Sequence, residues 1–184
     1  MSASDFAEAI RALPAIGEPF GGGFLGALVP APGGRYWALI VSPKAEGQAE
    51  NVMWGVGNHA VPGARSFTDG FANSEALNSD RYLPARFCRS LRIGGRDDWY
   101  LPSCGELAAL WANLSPNHTV AAKFVKGAAE AFDESWYWSS TEVEGETSFA
   151  WGQSFRNRPF GSGGQVHDDK YTPNLCRAVR RELI

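Results

Sequence analysis

The sequence predicts a single α+β domain, and three observations carry that prediction. Strand-like runs lie at both ends of the chain, and a capped amphipathic helix lies in the middle. The 21 Gly and 11 Pro among 184 residues require many tight turns and argue against a helical bundle. Hydrophobic residues at 44% against 20% charged exclude a disordered chain. No apolar run nears the ~20 residues of a membrane-crossing helix, so no membrane insertion is expected. A net charge of −3 argues against nucleic acid as a partner.

The first segment, MSASDFAEAIRALP, reads as a short amphipathic helix. Asp5 can cap it, Glu8 follows three residues on, and Phe6, Ile10 and Leu13 share a face. Pro14 and Gly17 stop it. The segment lacks the basic start and apolar stretch of a signal peptide, so none is expected. Gly21-Gly22-Gly23 reads as a hinge. It divides the chain into a helical docking arm over residues 1–20 and a main domain over 21–184.

Residues 24–30 and 36–42 are strands joined by a Pro-Ala-Pro-Gly-Gly turn, and 51–56 around Trp54 is a weaker third strand. Loops follow through Asn58 and Asp69-Gly70. A helix is expected near 84–91, with Pro84 in its first turn, Leu83, Phe87 and Leu91 four apart, and Gly94-Gly95 ending it. Ser103 and Glu106 form a capping box, and Leu107, Leu110, Trp111 and Leu114 give the stripe of a core-facing helix. Thr119 is expected to cap a further helix carrying Val120, Phe124 and Ala128. Four strands follow at 136–143, 148–155, 165–170 and 175–182. In the second, Phe149, Trp151 and Phe155 alternate with Ala150, Gly152 and Ser154, which predicts that the aromatics face the core.

The residues that could carry chemistry point to binding. Cys88, Cys104 and Cys176 fit neither a zinc site nor a secreted disulfide framework, and whether Cys88 and Cys176 pair is left open. His59, His118 and His167 have no ligand spacing. There is no nucleophile elbow, phosphate loop or His-Glu-x-x-His motif. Cys104 sits near a helix N-terminus, which can lower a thiol pKa, but no motif-linked histidine accompanies it. The chain therefore reads as non-enzymatic, without cofactor or metal. Glu142, Glu144 and Glu146 around Gly145 read as a solvated hairpin tip, Trp136 and Trp138 as core, and Asp97-Asp98 as turn residues.

From residue 154 onward six basic residues face three acidic ones, a local +3 in a chain of net −3. Polar segments flank a Phe-Gly-Ser-Gly-Gly loop there: Arg156, Asn157 and Arg158 before it, and Gln165, His167, Asp168 and Lys170 after it. Connecting segments on a rigid scaffold often carry binding groups, and Arg forks onto carboxylates and sulfates. These seven residues are the candidate ligand-binding site, with an anionic glycan as the expected ligand.

The run Asp98-Trp99-Tyr100-Leu101-Pro102-Ser103 with Glu106-Leu107 resembles one half of a known signature. Tyr137-Trp138-Ser139-Ser140-Thr141-Glu142, Ala150-Trp151, Phe155, Lys170 and Arg177-Ala178-Val179-Arg180 resemble the other. Together they resemble the family named after the C-terminal domain of a bacterial collagen-like adhesin, over about residues 70–181. The resemblance implies a C-type-lectin-like fold: small antiparallel sheets, two or three flanking helices and long loops. Family members occur on bacterial surfaces and in phage tail genes. Ser115-Pro116-Asn117 and Thr172-Pro173-Asn174 lack the acidic first residue of a lectin calcium loop, so calcium-dependent sugar chelation is not expected.

The resulting expectation is a phage virion protein of the tail or fibre that recognises a host-surface glycan or protein. It would be assembled in the host cytoplasm and be extracellular after lysis. Other virion proteins would dock on the N-terminal segment, and the chain would form a homo-oligomer, a trimer. Two alternatives stand beside it: a structural or decoration subunit that contacts only virion proteins, and a protein diversified by a retroelement, with variation over residues 151–174.

Overall fold

A computed structural model describes residues 3–156 and 164–184. The order of elements is α1 (Ala3–Arg11), β1 (Pro19–Phe20), β2 (Gly23–Pro30), β3 (Tyr36–Val41), α2 (Lys44–Gly47), β4 (Gln48–Val52), α3 (Gly70–Ala76), α4 (Leu83–Ser90), α5 (Cys104–Leu114), β5 (Trp136–Glu142), β6 (Phe149–Ser154), β7 (Gln165–Asp169), β8 (Asn174–Arg177) and β9 (Val179–Leu183). The fold is α+β, with two small sheets ordered β1-β2-β3-β9 and β4-β8-β5-β6-β7. Pairing is antiparallel except between β5 and β8, where Tyr137 meets Leu175.

The hairpin of β2 and β3 forms where the two strand-like runs and the Pro-Ala-Pro-Gly-Gly turn predict, and β9 completes its sheet with Ile40 opposite Arg180. Helix α5 lies against β2. Gly26 permits the approach, because a Cβ there would sit 2.4 Å from the Leu110 side chain. Ser103 and Glu106 close the predicted capping box, and Leu107, Leu110 and Leu114 are buried on the core side. Two apolar clusters result: Trp54, Trp99 and Trp138 anchor one, and Tyr100, Phe124, Tyr137 and Phe155 anchor the other.

Several sequence expectations give way to tertiary contacts. Gly21 and Gly22 are not a flexible hinge: with φ of 56° and 87° they close the turn that pairs Phe20 with Gly23. Arg180 donates to the Gly21 carbonyl at 3.0 Å. The preceding segment is also fastened to the domain, since the Gly17 amide donates to Leu25 at 2.7 Å and Lys123 pairs with Glu18. Helix α1 begins before Asp5. In α4 the buried positions are Pro84, Ala85 and Cys88, so its small residues face the core and Leu83 is exposed. Gly94-Gly95 closes a separate tight turn, pairing Ile93 with Arg96 beyond the end of α4.

No helix follows Thr119. Its hydroxyl donates back to Asn113 at the end of α5, at 2.7 Å, and Val120 is 98% exposed. The segment then runs as turns, with Phe124 inserted into the core and Glu130 tied to Arg177. These anchors outweigh a weak local helix propensity. The predicted strand 175–182 is two strands. At Ala178 the chain leaves one sheet for the other, with its amide on Gly47 and its carbonyl accepting from Ser42. Helix α3, which sequence left as loop, is capped by Asp69, whose carboxylate accepts from the Ala72 amide at 3.0 Å.

Candidate ligand-binding face

Strands β6 and β7 form the outer hairpin of the second sheet, in register Phe149↔Asp169, Trp151↔His167 and Gln153↔Gln165. Because side chains alternate across a strand, these six residues share one face. At its inner end the face is dry. Gln153 is buried, and the Gln165 side-chain amide donates to the Cys104 carbonyl at 2.7 Å, tying β7 to the start of α5. At its outer end the face opens into a ladder of rings. His167 stands edge-to-face between Phe149 at 5.3 Å and Trp151 at 5.7 Å, and Phe67 packs against Trp151 at 5.6 Å. His167 is exposed, Phe149 and Trp151 are half-buried, and Phe67 is 46% exposed. The three aromatics of the predicted strand 148–155 therefore do not all enter the core: only Phe155, just beyond β6 at the dry end, is fully enclosed.

The support beneath Phe67 is rigid. Its carbonyl accepts from the Gly105 amide at 2.8 Å, an approach that a Cβ on Gly105 would block at 2.5 Å. Ser66 beside it exchanges hydrogen bonds with Asn73 in both directions, and its carbonyl also accepts from Thr141. The indole N–H groups of Trp54, Trp99 and Trp138 each donate to a backbone carbonyl. Among the described residues, no hydrogen-bond partner meets the Trp151 indole or the His167 imidazole.

The seven sequence-derived candidates are distributed unevenly. Gln165 and His167 lie on the open face. Arg156 follows β6, half-buried, with its amide donating to Ser154 Oγ. Asn157 and Arg158 lie outside the described residues. Asp168 points to the opposite side of β7, where it shapes the following turn by accepting from Thr172 and Asn174.

Lys170, expected at the binding surface, is enclosed instead. It is 1% exposed, pairs with Glu142 at 2.7 Å, and lies 4.7 Å from the Trp54 ring centroid. Glu142 is correspondingly no solvated hairpin tip: it is buried and also accepts from the Val61 amide and Arg65. Lys170 serves the core.

The other C-terminal cations also turn inward. Arg177 is fully buried, donating to the Ser42 and Glu130 carbonyls and to the Glu130 carboxylate. Burial pulls its guanidinium down to about 10, with Tyr137 and Glu130 opposing the shift, so it stays protonated at neutral pH. Arg180 forks onto Asp98 at 2.8 and 3.0 Å, which gives Asp98 a side-chain partner where sequence expected a turn residue. Arg181 pairs with Asp69 and lies over Trp37. The local +3 is therefore largely neutralised inside the domain.

The thiols are similarly enclosed. Burial pushes Cys104 up to about 12, only partly offset by Gln165, which reverses the expectation from its helix position. Cys88 and Cys176 are both free and buried. Burial first, and a hydrogen bond to Cys176 second, push the Cys88 thiol well up. Among the described residues there is no cluster of three or more His, Cys, Asp or Glu that could hold a metal ion.

The family model described as the Lcl C-terminal domain matches residues 44–180, about three-quarters of the chain, and the protein belongs to that family. Membership marks it as an adhesin-like module. No curated protein and no solved structure matches the chain. The signature residues turn out to be scaffold. Trp99 and Trp138 fill the core, the Ser140 amide donates to the Pro102 carbonyl, and Thr141 accepts from the Cys104 amide, which locks β5 onto the start of α5. Phe67 and the outward turn of Phe149 were missed by sequence reasoning. Phe67 reaches the face only through tertiary contacts, and alternation alone does not reveal which side of an outer hairpin is left open.

Proposed function

We propose that the chain is a non-enzymatic, adhesin-like binding module, carried by a phage virion as a tail or fibre protein, that recognises a host-surface glycan or protein. The observation that carries this reading is the open ring-bearing face of β6 and β7, held by a rigid frame in a member of an adhesin-associated family. Gln165 and His167 lie on it, and Arg156, Asn157 and Arg158 belong to the same proposal. The virion placement rests on the occurrence of the family in phage tail genes, and a trimer would supply avidity without new contacts. A C-type-lectin-like architecture is supported by the pairing of β9 with the first hairpin and by the long coil between α5 and β5.

A binding role is favoured over catalysis because the perturbed groups are engaged internally. Burial raises the Glu106 carboxyl, and it accepts from the Tyr100 hydroxyl and the Gly70 and Ser103 amides. Cys104 is held high by burial.

The test is retention of the purified full chain on a panel of bacterial cell envelopes. The reading requires retention on at least one, with loss of most of it in an Arg156→Ala/His167→Ala variant that still folds. Retention on none overturns it.

A further inference from the structure

We infer that the ladder of Phe67, Trp151, His167 and Phe149 is a stacking platform for a neutral pyranose unit of a surface polysaccharide. This rests on the binding-module reading and gives its ligand a chemistry.

Size is the first argument. A fully buried aromatic covers about 150–250 Å², and these rings already cover part of one another. Their remaining surface is a few hundred Å², well below the roughly 800 Å² per partner of a stable protein interface. One to three sugar rings fit that footprint.

Polarity is the second. A pyranose has an apolar C–H face and a rim of hydroxyls. The C–H face matches an aromatic surface, while the indole N–H of Trp151 and the imidazole of His167 can both bond to hydroxyls. Three of the protein's other tryptophans have their N–H groups satisfied internally.

Charge is the third. The platform is bordered by Asp169, in register with Phe149, while Lys170, Arg177, Arg180 and Arg181 are held by carboxylates elsewhere. No Lys or Arg side chain belongs to the ladder itself, which favours a neutral sugar over an anionic one.

The experiment titrates the full chain calorimetrically with maltohexaose, cellohexaose, chitohexaose and a mannohexaose, and with a heparin hexasaccharide. The inference expects at least one neutral hexasaccharide to bind in the millimolar range or tighter, with little change between low and high salt. Trp151→Ala should weaken that binding at least tenfold, and Trp151→Phe should retain it within about threefold. His167→Ala is a second, independent variant, and it should weaken binding several-fold. Both alanine variants are checked for unchanged melting.

Binding of heparin alone, falling with salt, overturns the inference, as does binding of none of the five. Retention on bacterial envelopes separates this failure from that of the wider reading. A chain that stays bound after periodate oxidation of the envelope, and after Trp151→Ala, remains a binding module with a different ligand and ends the saccharide inference. A chain retained on no envelope ends both.

Discussion

At the start of β7, Gln165 and His167 stand at the surface beside Trp151. Just beyond its end, Lys170 is sealed against Glu142 and the face of Trp54. Both ends carry polar residues, and they do opposite things. At His167 the ring nitrogens have no protein partner among the described residues, while Lys170 uses charge as a fastener between β5, the loop near His59 and the turn after β7. Arg177 and Arg180 repeat the inner pattern. Charge counted along a segment therefore says little about the field it presents, because the fold decides which cations reach solvent.

The largest effects are expected at the buried cations. Replacing Lys170 or Arg177 with Met removes the closest cation from a carboxylate that is wholly or largely buried. Glu142 keeps Arg65 and the Val61 amide, and Glu130 keeps the Lys44 amide. Breaking a buried pair in this way typically costs about 3–5 kcal/mol. Each variant is expected to lower the melting temperature by roughly 10 °C or more, measured by calorimetry. Lys170→Met combined with Glu142→Gln should lose less than the sum of the single variants, since the two groups interact directly. Strict additivity would show that the pair is not coupled.

Glycine substitution at the β1–β2 turn sharpens the distinction between hinge and framework. Gly22 has φ of 87° and lies against Gly94. Gly22→Ala is expected to cost about 1–2 kcal/mol in chemical denaturation, because an L side chain is strained there. A flexible hinge would register no change.

Acid should weaken the ion pairs at Asp98 and Asp133. Burial alone would raise the Asp98 and Asp133 carboxyls. The Arg180 fork on Asp98, and Lys44 with Gln48 on Asp133, reverse that and hold both below the usual carboxylate range. The folded state then binds fewer protons than the unfolded one. The stabilisation is complete above the unfolded value of about 3.9 and is lost as pH falls through the lowered values. Asp98→Asn should flatten the acid limb of a stability–pH curve and leave saccharide binding near neutrality unchanged. The smallest effect is expected at Asp80→Ala, which removes the exposed pair with Arg86. Exposed pairs are worth about 0–1 kcal/mol.

What the sequence made legible was local. Helix α5 could be read residue by residue, because its cap and apolar stripe lie within one segment. Helix α3 was not, because Asp69-Gly70 is equally a turn pair and only the tertiary fold recruits Asp69 as a cap. At the candidate site, Gln165 and His167 stood out by composition. Phe67 comes from a loop about a hundred residues away, and Lys170 turns inward at the point where alternation ends at the edge of β7. Neither is encoded in spacing. The family signature marked the frame, and the open face lies beside it.

Inward charges hold the domain, and the outward rings are proposed to bind. Melting and envelope retention measured side by side for Trp151→Ala/His167→Ala separate the two roles. The melting temperature is expected to stay within about 3 °C of the parent, as for half-buried and exposed side chains, together with at least a tenfold drop in retention. A folded variant that is retained as well as the parent would contradict the proposed role of the rings.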